Sequence, residues 1–377
     1  MEKDFHNVAV IPGDLHGKTV TESTIMLSGK LEDVLNKPIR HTFFDYSADY
    51  FSKNNITELG EKELNELKKF DQIFMGAIGD ETKLKPGVAE IGIILKLRQA
   101  FDQYVNLRPI ILPEGVPSVL KNKDYQDINF EICRENSEGL YVQEGRVKYE
   151  GTEDEVGIQV MRCSYKGVKR LAEFALDRAI ARKKFDKPRL HFVFKNNVLT
   201  FAAVPWTRVQ KEFIEKYKDV DIGYMHVDSF TMQMITKPEQ FDVVVIENMF
   251  GDITTDLGAV LQGGIESGVS GNINPTGEYP SMFEPIHGTA PDKWYKRNQI
   301  GGYIPGTKVA SGYRTIRSEA AFLAYAMMLE QMGELKASNL LKEAAHENLR
   351  NPDYKKMHHV DLVNNAVKYI TDTIKAK

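Results

Sequence analysis

The sequence predicts an α/β protein with a largely parallel sheet that is not a Rossmann fold. Short β-branched apolar runs alternate with helix-period stretches along most of the chain, the pattern of strands joined by crossover helices. Phe241–Ile246 (FDVVVI) is almost wholly apolar, as in a strand covered on both faces. No G-x-G-x-x-G stands between a strand and a helix, so the dinucleotide fingerprint is missing.

The elements follow in order. VAVIP at 8–12 reads as a strand, 19–36 as a helix, QIFMGAI at 72–78 as a strand and IGIILKLRQAF at 91–101 as helical. INFEICREN is a strand, YKGVKRLAEFALDRAIARKK at 165–184 a helix, LHFVFKNN at 190–197 a strand and VQKEFIEKY at 209–217 a helix. Val142–Glu155 is polar and Gly-punctuated, a hairpin-like arm. Residues 263–282 and 301–312 read as loop-rich connections, and the segment from about 317 is helical with a basic end. There is no internal repeat.

At 377 residues the chain can build two cores. Hydrophobic residues make up 42% and charged residues 27%, with a net charge of −4, which leaves no nucleic-acid footprint. No apolar run approaches the length of a membrane span, and no secretory signal is read at the start. Two cysteines, Cys133 and Cys163, lie without metal-like spacing, which suits a reducing cytoplasm.

The chemistry begins after FDVVVI. ENMFG turns the chain, and Asp252 stands four residues before Asp256, so a helix there sets both carboxylates on one face. Two such charges repel unless a cation lies between them, and oxygen donors favour Mg²⁺ or Mn²⁺. An acidic first turn favoured by the helix dipole is the plainer alternative. Arg98, Arg108 and Arg134 have the side chain suited to bidentate carboxylate recognition, although isolated arginines more often form surface ion pairs. Lys195 ends an apolar strand, and with Tyr141 it offers an acid/base pair.

Together these residues lie in a family pattern. VIPGD at 10–14, LKLRQAFDQYVNLRP at 95–109, RENSEGLY at 134–141, KNNVL at 195–199, HVDSF at 226–230, FDVVVIENMFGDITTDLG at 241–258 and FEPIHGTAPD at 283–292 appear in the family's order. The chain resembles the metal-dependent β-hydroxyacid oxidative decarboxylases, which include isocitrate, 3-isopropylmalate, tartrate and D-malate dehydrogenases. Its nearest resemblance is to the tartrate/D-malate branch. Where isocitrate enzymes place polar donors, this chain has Ile91-Gly92-Ile93-Ile94-Leu95, an apolar wall that disfavours isocitrate but not an isopropylmalate-like substrate.

The resemblance implies an isocitrate/isopropylmalate dehydrogenase-like two-domain fold: residues 1–108 plus 266–377 on the cofactor side, and 109–265 for substrate, metal and dimerisation, with the arm near 142–160. It implies metal ligation by Asp252 and Asp256, with Asp228 from the partner of a homodimer. Arg98, Arg108 and Arg134 would hold the carboxylates of a malate-type hydroxy-dicarboxylic acid, with Ile94 and Leu95 beside them. Lys195, also from the partner, would take the hydroxyl proton, and Tyr141 would protonate carbon after CO₂ leaves. His287, Gly288 and Asp292 would face the adenosine. An Asp there accepts from a ribose hydroxyl and repels a 2′-phosphate, favouring NAD over NADP.

Three departures stand out. Gly13-Asp14-Leu15-His16-Gly17 replaces G-D-G-I-G, so Leu15 would be strained if that position needs φ > 0. A longer stretch follows HGTAPD, bringing Arg317 to where the family's adenine-holding Asn stands, so that Arg317 could replace it, stack on the adenine or pair with phosphate. Ser164-Tyr165 stands where Thr-Arg is common. The leading expectation is NAD-dependent oxidative decarboxylation of D-malate or a tartrate. The alternatives are a 3-isopropylmalate-like or other substituted-malate dehydrogenase and, from another class, a non-catalytic regulatory subunit.

Overall fold

A computed structural model of the chain describes residues 4–297, 303–308 and 316–376. In chain order the strands are β1 His6–Ile11, β2 Ile39–Phe43, β3 Gln72–Met75, β4 Val105–Ile111, β5 Asn129–Glu135, β6 Gly145–Lys148, β7 Val156–Gln159, β8 Arg189–Val193, β9 Asp221–Met225, β10 Val243–Ile246, β11 Val269–Ile273, β12 Ser281–Pro285, β13 Tyr295–Arg297 and β14 Tyr303–Lys308. The α-helices are α1 His16–Ser28, α2 Ala48–Asn54, α3 Glu61–Leu67, α4 Lys96–Ala100, α5 Tyr165–Arg182, α6 Ala203–Lys216, α7 Val227–Thr236, α8 Asn248–Leu261, α9 Glu319–Gln331, α10 Leu335–Arg350 and α11 His359–Lys375.

The chain divides into two compact units. Unit 1 comprises 1–101, 113–117 and 263–377; unit 2 comprises 102–112 and 118–262. In unit 1 the strands run β2-β1-β3-β12-β11, parallel except for the β11–β12 pair. β1 shows why it sits inside: Val8 and Val10 join one apolar cluster, with Phe322, Tyr325 and Leu341, while Ala9 and Ile11 join another, with Phe51, Met75 and Leu97. Successive side chains point to opposite faces, and both faces are covered. In unit 2 the order is β4-β5-β10-β8-β9, antiparallel only between β4 and β5. The VVVI run of β10 is completely buried at its centre. β6 and β7 form a separate antiparallel hairpin whose residues are mostly exposed.

Three readings change. Residues 263–282, read as a loop, contain β11 and the start of β12, and every residue of β11 is buried. Gly, Ser and Asn have low strand preference, yet a Cβ on Gly271 would come within 2.8 Å of Met327 Sδ, so this strand needs its glycine to pack. The helix predicted over 19–36 runs from His16 to Ser28 and gives way to a 3₁₀ turn at Glu32–Val34. In the 301–312 connection, 303–308 form β14, paired antiparallel with β13; the remaining positions lie outside the described residues. No helix among the described residues is long and apolar enough to cross a membrane.

Candidate active site

In unit 2, β10 ends at Ile246, and the Glu247 carboxylate caps α8 by accepting from Phe250 N at 3.2 Å. From that start, Asn248, Asp252 and Asp256 fall at steps of four on one helix face. Two glycines bring the helix close to β4 and β5. A Cβ on Gly251 would come within 2.6 Å of Arg134 Cγ, and one on Gly258 within 2.4 Å of Ile110 Cδ1. The β4–β5 register sets Asn106 opposite Arg134, with Arg108 two residues along the same face.

The result is a convergence on Asp252. Arg134 is buried; its Nε and Nη2 donate to Asn248 Oδ1 at 3.0 and 2.8 Å, and its Nη1 donates to Asp252 Oδ1. Arg108 donates from Nε to Asn106 Oδ1 at 2.8 Å and from Nη1 to Thr255 Oγ1 at 2.6 Å. Its Nη2 lies 3.5 Å from Asp252 Oδ1, and its Nη1 lies 3.8 Å from Asp256 Oδ1. Tyr141 donates its hydroxyl to Asp252 Oδ2 at 3.0 Å. Burial raises the Tyr141 pKa, and the Asp252 charge adds to the rise, so the phenol keeps its proton at neutral pH. Burial also lifts the Asp256 carboxyl, against the pull of Arg108.

Lys195, just past β8, pairs with Asp228 in the first turn of α7 at 2.8 Å, and that hydrogen bond lowers the Asp228 pKa. Among the described residues, no group of three or more His, Cys, Asp or Glu side chains could hold a metal ion. Asp228 therefore does not complete a ligand set with Asp252 and Asp256 within one chain. The Asp252–Asp256 pair still has the donor chemistry of a Mg²⁺ or Mn²⁺ site, with hard carboxylate oxygens on one partly exposed helix face.

The remaining sites predicted from sequence lie in unit 1. Arg98, in α4, is buried and donates to Glu284 Oε1 at 3.4 Å. Ile94 and Leu95 are half-buried at the end of a π-helix, Glu90–Leu95, that leads into α4; such wide turns recur at functional sites. His287 bonds through Nδ1 to Gly288 O at 3.1 Å, and its Nε2 is buried without a partner. Asp292 is exposed in a 3₁₀ turn, Pro291–Lys293. Leu15 takes φ 48°, so the substitution of the loop glycine leaves backbone strain. Arg317 is buried, donates to Ile316 O and Lys355 O at 2.9 Å each, and lies over the Tyr354 ring. Ser164 has become the cap of α5, its Oγ accepting from Gly167 N at 2.9 Å.

Sequence reasoning missed Asn106, Asn248 and Thr255, which fix the two guanidiniums. Asn248 and Thr255 had a faint signal in their helical spacing around Asp252; Asn106 had one in its position two residues before Arg108 on a strand.

A parallel-sheet unit that gathers two guanidiniums, a phenol and an i,i+4 carboxylate pair has the chemistry of an enzyme site that could take an anion and a cation together. Residues 7–376 match the family model described as isocitrate/isopropylmalate dehydrogenase, and the chain belongs to that family. A 3-isopropylmalate dehydrogenase of Streptomyces coelicolor is 44% identical over 287 residues, 76% of this chain and 80% of the relative. One from Mycobacterium leprae is 38% identical over 89% of this chain and 92% of its own, and one from Thermobifida fusca 38% over 91% of each. Among solved structures, an isocitrate dehydrogenase from Methylococcus capsulatus superposes with a TM-score of 0.79 at 25% identity, covering 97% of this chain and all of the other.

The chain is thus a decarboxylating dehydrogenase of a family whose members generally use NAD and a divalent metal ion. The D-malate or tartrate expectation is overturned, because these relatives are named for 3-isopropylmalate. The tartrate/D-malate resemblance rests on FDQYVNLRP, RENSEGLY and NINPTGEYPSMFEPIHGTAPD. The first two carry Arg108, Arg134 and Tyr141, assigned to a malate backbone common to all these substrates, so they cannot separate the branches.

Proposed function

We propose that the chain catalyses the NAD- and Mg²⁺- or Mn²⁺-dependent oxidative decarboxylation of 3-isopropylmalate or a closely related substituted malate. The observation that carries this reading is the convergence of Arg108, Arg134 and Tyr141 on Asp252 beside Asp256. Its two guanidiniums and two carboxylates cancel, so an added divalent ion leaves the charge needed to receive a dicarboxylate. The names of the relatives and the apolar Ile94 and Leu95 support an alkyl substituent on the substrate.

Asp252 and Asp256, with Asp228 from a second copy, would hold the metal, which supplies Lewis acidity toward the substrate's hydroxyl and carboxylate oxygens. His287, Gly288 and Asp292 would hold the adenosine of NAD, which would supply the hydride acceptor. Arg108 and Arg134 would turn from Asp252 toward substrate carboxylates in bidentate fashion. Lys195 of a second copy removes the hydroxyl proton, and the Tyr141 phenol returns a proton to the carbon that loses CO₂. A homodimer follows from sharing Lys195 and Asp228. The free thiols of Cys133 and Cys163 support a cytoplasmic setting.

The test is reduced-cofactor formation with NAD⁺ and Mn²⁺ on 3-isopropylmalate, isocitrate and unsubstituted malate, repeated with NADP⁺. We expect the highest kcat/KM on 3-isopropylmalate with NAD⁺. A preference for isocitrate would overturn the substrate reading.

A further inference from the structure

The feature of unit 1 that no role yet absorbs is His16. It opens α1 and is 4% exposed. Its Nδ1 accepts a hydrogen bond from the indole Nε1–H of Trp294, with the two rings edge to face at 5.7 Å. An indole nitrogen can only donate, so Nδ1 must be the bare nitrogen and the ring proton must sit on Nε2. Burial lowers the His16 pKa to about 3, with Lys293 and His287 adding to the fall, so the ring is neutral at working pH. That leaves one buried donor, Nε2–H, without an acceptor. Buried donors are nearly always satisfied, and an orphan points to a missing partner.

Nearby stands the complementary group. His16 N donates to Thr289 O at 3.4 Å, tying the start of α1 to the loop that carries His287. The contact of His287 Nδ1 with Gly288 O makes Nδ1 the donor, because a carbonyl only accepts. His287 Nε2 is therefore a buried acceptor, also without a partner. One open donor and one open acceptor match an adenine edge, which offers a ring nitrogen acceptor beside an amino donor. Trp294 is positioned from the stretch that departs from the family pattern. The neighbouring Tyr295 donates to Asp80 Oδ2 at 3.1 Å, a second tie within unit 1.

We propose that His16 is a specificity-determining residue for the dinucleotide: its Nε2–H donates to a ring nitrogen of adenine while His287 Nε2 accepts from the 6-amino group, and Trp294 is the positioning residue that holds the His16 tautomer. This rests on the reading of NAD as the cofactor. Adenine is distinguished from hypoxanthine because replacing the 6-amino donor by a carbonyl sets one acceptor against another at His287 Nε2.

The test uses ADP-ribose and its inosine counterpart as probes, with binding measured by calorimetry on the full chain and no turnover involved. Wild type should bind ADP-ribose at least about tenfold more tightly than the inosine form. His16→Phe keeps a ring and should lose about tenfold in ADP-ribose affinity and most of the preference. Unchanged affinity and preference in a folded His16→Phe protein overturns the proposal while leaving the NAD reading standing. Binding of neither probe nor NAD⁺ by wild type overturns that reading and this one with it. ¹⁵N-histidine spectra of the unliganded protein supply a readout independent of any ligand and of His16→Phe folding. His16 should show a protonated Nε2 and bare Nδ1, and Trp294→Phe should mix the tautomers. A wild-type His16 protonated at Nδ1 overturns it.

Discussion

At the level of single residues, Asp252 has the most demanding position, because it accepts from Arg134 and Tyr141 and lies beside Arg108. Asp252→Asn keeps the shape and removes the charge. Metal-dependent turnover should vanish in a variant that still folds by circular dichroism; retained turnover would refute the ligand assignment. Tyr141 tests a separate step. Its hydroxyl is the group positioned to return a proton, and general acids contribute about 10²–10⁴-fold. Tyr141→Phe should lower kcat by about a hundredfold or more with a small change in KM for the metal. Equal turnover by the phenylalanine variant would remove Tyr141 from the proton path. The carboxylate pair and the arginines were legible as residue types because their chemistry is local. Asn106, Asn248 and Thr255 were not, since their work depends on which strands lie under α8. Arg317 was legible only by its place in the chain; that it donates to Ile316 O and Lys355 O depends on tertiary packing.

Among the secondary-structure elements, α8 sets the site by lying close to β4 and β5, and its glycines make that approach possible. Gly251→Ala would put a methyl 2.6 Å from Arg134 Cγ. Because that part of Arg134 is packed rather than free, the helix and the guanidinium must shift, at a cost of about 1–3 kcal/mol in stability. Denaturant unfolding should read that cost, and kcat/KM should fall further than stability alone explains, since about an ångström of misplacement is enough to impair positioned catalysis. A variant with wild-type kcat/KM would show that the close approach matters only for packing. The β-branched runs made most strands readable, and the 3.6-residue period made the long helices readable. β11 was hidden because its sequence, VSGNI, carries little strand signal. Its burial and the Gly271–Met327 contact are tertiary facts, and they override local preference.

For the whole molecule, two predictions concern what one copy of the chain can do. The first is acid stability of unit 2. Burial alone would raise the Glu131 carboxyl, but Arg178 (2.8 Å from Nε) and Arg182 (3.1 Å) hold it below the usual range. A depressed folded pKa contributes stability that is complete above the unfolded value and is lost as pH falls through the folded one. Glu131→Gln should therefore cost about 3 kcal/mol near pH 7, because it leaves two guanidiniums short of their partner, and the cost should shrink in acid. A pH-independent cost in urea unfolding would reject the ion-pair account. The second prediction concerns assembly. Among the described residues a single chain gathers no third acidic ligand around Asp252 and Asp256, while Lys195 and Asp228 are paired with each other elsewhere in unit 2. If each site borrows those two residues from a second copy, Lys195→Ala and Asp252→Asn are defects that belong to opposite sides of one shared site. Each homodimer would then be inactive. A mixed dimer carries both defects in one site and neither in the other. Random re-pairing makes about half the dimers mixed, with one working site of two, so activity should return to about a quarter of wild type. Mixing the two purified variants under subunit exchange and following turnover reads this directly. No recovery after demonstrated exchange would mean that Lys195 serves its own chain, and the shared-site reading would fall.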